Sequence, residues 1–307
     1  MSPSWQARCL NTSVRWLVRR RRWGDDERAV ARRARRLFGT PRPIQWLRTL
    51  GSNVRRVNES RDGQVVRGEW VEPERADDGG VIFYIHGGGY VSCSPATHRP
   101  ITASLARLSR RRVFSLDYRL APEHRYPAAL DDAVAAYQWL LAHEGIAPHA
   151  ISFVGDSAGG GLVLGCLLRL RDAGLPLPAC AVCFSPWTDL AGTGESQHFN
   201  DGRCAMFRTE NNHEFAPAYL GDVSPRDPYA SPAYADLAGL PPLLLQVGST
   251  ELLLDDARRV HQKIQAAGGA SRLEIYEDVA HCWQMLDGFV PEARAALRQA
   301  ASFIREH

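Results

Sequence analysis

The chain has 307 residues, 45% of them hydrophobic and 23% charged, which suits two ordinary domains or one large α/β domain with an appendage and excludes a disordered polymer. A net charge of +3 is too small to demand a nucleic-acid partner. No stretch approaches the length of a membrane span, and the N-terminal region lacks the apolar centre of a signal peptide.

The N-terminus is nevertheless rich in arginine. Arg19 to Arg22 form a run, and Arg28, Arg32, Arg33, Arg35 and Arg36 follow. A targeting peptide, a nucleic-acid arm or an anionic-membrane arm would each use such a composition. Trp16, Leu17, Val30, Leu37 and Phe38 interrupt the charges, and Asp25, Asp26 and Glu27 sit among them. Transit peptides are poor in acids, so we read the segment as helix with a solvated basic face. Seven cysteines lack CxxC or metal-ligand spacing, which suggests free thiols in the cytoplasm. Cys166, Cys180 and Cys183 lie in apolar runs and are expected to be packed.

From about Asn53 strands alternate with helices. Residues 64–71 predict a half-exposed strand, 81–89 an apolar strand stopping at glycines, and 111–119 another strand. Residues 127–144 have helical spacing, with Ala133, Val134, Tyr137, Leu140 and Leu141 on one face. Residues 151–160 predict a strand that ends in a turn, and 158–172 a helix. Strands are expected at 179–187, 240–249 and 273–279, and a final helix at 291–305. Apolar strands separated by helices imply a parallel sheet covered on both faces. Residues 1–50 and 190–222 break the alternation. Ligands of such sheets sit beyond the carboxyl ends of the strands, where these two regions could form a cap.

Gly155-Asp156-Ser157-Ala158-Gly159 fits G-x-S-x-G, the nucleophile elbow of α/β-hydrolases. Small residues two positions either side of the serine let strand and helix approach closely around a strained turn. The motif alone is weak, but here a strand precedes it and a helix follows. His86-Gly87-Gly88-Gly89 comes earlier, after another apolar strand. The N–H groups of Gly88, Gly89 and Ala158 are candidate donors to a developing oxyanion. His86 is read as a residue that holds this loop by hydrogen bonding.

Together with DYRLAPEHRYPAALDDA (117–133) and SPAYADLAGLPPLLLQVGS (231–249), these motifs make the chain resemble the hormone-sensitive lipase family, the bacterial family IV esterases. The resemblance runs from about Val81 to the C-terminus. It implies an α/β-hydrolase fold with an eight-stranded, mostly parallel sheet flanked by helices. It also implies a helical cap built from residues 1–50 and 190–222 on a catalytic domain of 51–189 and 223–307. Short- to medium-chain carboxylic esters are the implied substrates, and a homodimer through the last sheet edge is the implied assembly. No metal or organic cofactor is expected.

Chain order in these hydrolases is serine, acid, histidine. His281 follows the last predicted strand and is the candidate base, although it stands in AHCWQM where many relatives have HGF. The acid is open between Glu251 and Asp255, because Gly248–Asp256 departs from the family's pattern. Aligning Asp255 with the family's second aspartate puts Glu251 in the catalytic slot, and Glu251 is preferred. Asp156 is too close to Ser157 to be the acid and is expected to brace the elbow. Arg119, Glu123, Asp131 and Asp132 are expected to form structural ion pairs. Trp187 and Tyr90 are candidate walls of the substrate pocket, with core packing the alternative for Trp187. Amide or lactone hydrolysis on the same residues, and a non-catalytic ligand-binding relative, remain as rival functions.

Overall fold

The computed structural model describes residues 2–307 except 22, 25, 39–40, 62–63 and 78–79. Arg22 of the arginine run and Asp25 of its acidic interruption therefore lie outside the described residues.

The strands are β1 (Ser52–Arg61), β2 (Gln64–Pro73), β3 (Val81–Ile85), β4 (Arg112–Leu116), β5 (Ile151–Asp156), β6 (Cys180–Phe184), β7 (Leu243–Gly248) and β8 (Ser271–Tyr276). They form one eight-stranded sheet in the order β1-β2-β4-β3-β5-β6-β7-β8. From β4 to β8 every pairing is parallel, and β2 runs antiparallel to both β1 and β4.

The helices are α1 (Trp5–Val14), α2 (Glu27–Leu37), α3 (Arg42–Arg48), α4 (Pro95–Ser109), α5 (Ala128–Ala142), α6 (Ala158–Asp172), α7 (Ser196–Phe199), α8 (Glu210–Leu220), α9 (Leu254–Ala266) and α10 (Pro291–Glu306). The central strands alternate by side-chain parity, as the two-residue period demands. Val81, Phe83 and Ile85 pack with Leu130, Tyr137 and Leu167 of α5 and α6. Ile82 and Tyr84 pack on the opposite face with Leu105 of α4 and Leu297 of α10. Both faces are dry, so these strands read as unbroken apolar runs.

The predicted strands and helices are present, with ends shifted by a few residues. β1 was not predicted. Its sequence, SNVRRVNESR, is charged because it is an outer strand whose side chains meet solvent. Helix α4 was not predicted either, since Pro95 and Pro100 obscure its period. The predicted ion pairs exist: Arg119 with Asp132 at 2.8 Å, Glu123 with Arg35 at 2.6 Å, and Asp131 with Arg169 at 3.4 Å. Cys166, Cys180 and Cys183 are buried in the core.

The first helices and the β6–β7 crossover meet. Trp23 and Phe38 flank α2 and pack against Phe215 of α8 and, for Phe38, Phe207. Arg15 donates to the carbonyl oxygens of Gly202 and Arg203 at 2.8 and 2.7 Å. At its other end, Ser4 caps α1 and bonds Glu292 of α10 through both its N–H and its hydroxyl.

Candidate active site

Ser157 sits between β5 and α6 with φ 53° and ψ −122°, a left-handed conformation that β-carbon-bearing residues rarely adopt. Backbone bonds fix it there: its N–H donates to Phe184 O at 2.8 Å, and its own carbonyl accepts from Trp187 N at 2.9 Å. The neighbouring glycines are required by space. A Cβ on Gly159 would lie 2.1 Å from the Ile85 carbonyl oxygen, and one on Gly155 would lie 2.5 Å from that of Gly159.

His281 leaves the loop after β8 and places Nε2 2.9 Å from Ser157 Oγ. Its Nδ1 lies 2.5 Å from Glu251 Oε2. The other carboxylate oxygen, Oε1, accepts from Ser185 Oγ and from Gly248 N, both at 2.7 Å. Glu251 is buried and therefore held in one position. Ser185 itself has φ 45°, just past the end of β6. Sequence reasoning missed this residue, whose relation to Glu251 exists only because β6 and β7 are neighbours in the sheet.

Asp255 goes elsewhere. It lies in the first turn of α9, and its Oδ2 accepts from Ser196 N at 2.8 Å at the start of α7. Of the two candidate acids, Glu251 is the one that meets His281.

The glycine loop faces Ser157 from the end of β3. Gly88 and Gly89 have φ of 114° and 64°. A Cβ on Gly88 would lie 2.4 Å from Ser92 O. The N–H groups of Gly88, Gly89 and Ala158 have no partner among the described residues. The N–H of Gly87 is occupied by Asp156 Oδ1 at 3.0 Å, which also accepts from Tyr84 Oη at 2.6 Å. Burial alone would push the Asp156 carboxyl up, but the charge and hydrogen bond of His98, with the Tyr84 bond, outweigh it and hold the group at about 2. Asp156 thus braces the loop more than the elbow. His86 is buried, stacks on Tyr118 at 4.3 Å and bonds Gly87 O through Nδ1 at 2.7 Å. Burial, then the charge of His98, depress it to about 3, so it stays neutral and structural.

An apolar cavity of about 410 Å³ opens over Ser157. Leu10, Val14 and Val18 roof it, and Phe207, Phe215 and Trp187 contribute walls. Trp187 is held by a 3.0 Å bond from Nε1 to Asn212 Oδ1. Tyr90 is a correction: it does not line the cavity. Its ring turns into the core, stacks on Tyr219 at 3.7 Å and backs Trp187 at 5.8 Å. Two thiols, Cys93 and Cys282, also face the cavity. Burial pushes Cys93 up to about 12 and Cys282 well above its usual value, so both stay protonated and are weak rivals to Ser157. Among the described residues no group of three or more His, Cys, Asp or Glu side chains could hold a metal ion.

Residues 82–285 match a family model described as alpha/beta hydrolase fold. An acetyl-hydrolase of Streptomyces hygroscopicus is 45% identical over 77% of this chain and 79% of its own length. An esterase of Acinetobacter venetianus is 40% identical over 78% of each chain. The crystal structure of an esterase from the bacterial hormone-sensitive lipase family superposes with a TM-score of 0.85 at 40% identity, covering 100% of this chain and 99% of the other. That of EstE5, soaked with p-nitrophenyl butyrate, gives 0.88 at 37% identity, covering 99% and 98%. With the fold, the glycine loop and the elbow on one sheet, these likenesses make this chain a carboxylic ester hydrolase that belongs to the hormone-sensitive lipase family of the α/β-hydrolases.

Proposed function

We propose that the chain hydrolyses short- to medium-chain carboxylic esters by two-step acyl transfer on Ser157. The observation that carries this is the hydrogen-bonded series Ser157–His281–Glu251, at 2.9 and 2.5 Å, beneath an apolar cavity. His281 removes the Ser157 proton as Oγ attacks the ester carbonyl carbon. Glu251 holds Nδ1–H and stabilises the imidazolium. The N–H groups of Gly88, Gly89 and Ala158 receive the oxyanion. Collapse expels the alcohol, which takes its proton from His281. Water, deprotonated by His281, then releases the acid and restores Ser157. Residues 1–50 and 190–222 act as a cap, a reading supported by their shared walls around the cavity.

One similar protein is named an acetyl-hydrolase, which supports small acyl groups. The seven free cysteines support a reducing, cytoplasmic setting. The outer edge of β8, which among the described residues pairs with β7 alone, is the proposed seam of a homodimer. The test is a panel of p-nitrophenyl esters from acetate to palmitate, beside amides and lactones, with wild type and Ser157→Ala. Turnover should peak below the long acyl chains and vanish in the variant. Faster turnover of amides or lactones than of any ester would favour the rival reaction.

A further inference from the structure

The first fifty residues hold thirteen arginines against three acids, while residues 51–307 hold twenty-four basic residues against thirty-one acids. The molecule is therefore strongly dipolar, with its basic end on the helices that roof the cavity. Helix α1 and the π-helical turn that continues it, Arg15–Arg19, show two opposite faces. Ala7, Leu10, Val14 and Val18 point inward, three of them onto the cavity. Trp5 and Trp16 share the outward face and are 67% and 63% exposed. On α3, Ile44 lines the cavity, while its neighbours Trp46, at 67% exposed, and Leu47 face solvent. Phe289 is likewise both a lining residue and exposed, so the cavity opens at the end that carries these side chains.

Isolated exposed leucines need no explanation, but exposed tryptophans and leucines on helices that line one cavity do. The same N-terminal segment carries available arginines. Arg8, Arg20, Arg28, Arg32 and Arg36 are exposed and pair with no acid among the described residues. The Arg20 guanidinium lies 3.9 Å over the Trp16 ring. A guanidinium stacked on an exposed amphipathic ring matches the boundary between headgroups and acyl chains. A nucleic acid would meet the arginines but leave the tryptophan and leucine edges in water. A second copy would bring two basic faces together. No described helix is long and apolar enough to cross a membrane, so any lipid contact of these helices lies at the surface.

We propose that the outward faces of α1, of the turn Arg15–Arg20 that continues it, and of α3 seat the protein on an anionic lipid surface, with the mouth of the cavity directed into the lipid. This changes the reading of the arginine-rich segment from a merely solvated face to a docking face. The docking itself does not depend on the ester-hydrolase reading, which supplies only what enters the cavity.

The experiment is sedimentation of the full chain with phosphatidylcholine vesicles, with and without phosphatidylglycerol, at low and high salt. Two variants accompany wild type: Trp5→Ser/Trp16→Ser/Trp46→Ser and Arg8→Glu/Arg20→Glu. Wild type should bind the anionic vesicles about tenfold or more tightly than the neutral ones, and salt should weaken binding. Each variant should lose about tenfold in binding while hydrolysing a dissolved short-chain ester as wild type does. Failure of wild type to bind anionic vesicles, or wild-type binding by either variant, would overturn the proposal. So would self-association that disappears with the tryptophans, or duplex DNA binding that outcompetes vesicles and ignores the tryptophans. Loss of ester turnover with vesicle binding intact would instead sink the catalytic reading alone.

Discussion

His281 Nδ1 lies 2.5 Å from Oε2 of Glu251, and Asp255, four residues further on, is turned away toward Ser196. The geometry separates two acids that the sequence left competing. Glu251→Gln should lower kcat by about three to four orders of magnitude, because the amide cannot hold the imidazole as a carboxylate does. Asp255→Ala should keep turnover within about tenfold, since it loses a tie to α7 and an ion pair with Arg258, neither of which reaches His281. Steady-state hydrolysis of p-nitrophenyl butyrate reads both.

Ser185 is a positioning residue. Its hydroxyl donates to Glu251 Oε1 at 2.7 Å and accepts from Cys282 N at 3.4 Å. Ser185→Ala leaves Gly248 N as the remaining donor to that oxygen. We expect kcat to fall about tenfold with KM little changed, and stability to fall by about 1–3 kcal/mol. An unchanged kcat, in a variant whose melting temperature does fall, would limit Ser185 to a structural role.

Asp256 gives a pH prediction. Burial, then the charge of Asp189, push its carboxyl from 3.8 up to about 8. The folded state therefore holds a proton that the unfolded chain gives up above 3.8, so stability falls as pH rises from about 4 to about 8. Oδ1 accepts from the N–H groups of Thr188 and Asp189, at 2.8 and 2.9 Å, a role an amide oxygen can keep. Thermal melts of Asp256→Asn should gain on wild type across that window and stay above it at higher pH. A constant difference between acidic and alkaline pH would contradict the raised carboxyl.

Trp187 walls the cavity and is anchored through Asn212. Trp187→Ala should enlarge the cavity and move the preferred acyl group to a longer chain, at a stability cost of about 3–5 kcal/mol. Trp187→Phe should keep the size preference closer to wild type while losing the indole hydrogen bond. The ester panel distinguishes them, and the same chain-length profile in all three proteins would remove Trp187 from the pocket.

Much of this architecture was legible because the central strands are dry on both faces. β3, β5, β6 and β7 announce themselves as apolar runs, and the motifs mark the ends of β3 and β5. Glu251 could be favoured from the family resemblance, through the alignment of Asp255 with the family's second aspartate, but its contact with His281 depends on the β7–β8 pairing. Ser185 carried no signal, since a serine at a strand end becomes important only through its neighbour strand. Tyr90 was misplaced because its φ of 64° directs the ring inward, and no local pattern specifies that. The inward apolar period at 7, 10, 14 and 18, which spans α1 and the turn after it, was present in the sequence. The arginines drew attention away from that period.

The most direct measurement is covalent labelling with a fluorophosphonate, mapped by peptide mass spectrometry and followed alongside ester turnover. One label per chain is expected, on Ser157, with turnover lost in proportion and neither label nor turnover in folded Ser157→Ala. A folded protein that labels elsewhere, or a Ser157→Ala variant that still hydrolyses esters at the wild-type rate, would contradict Ser157 as the nucleophile.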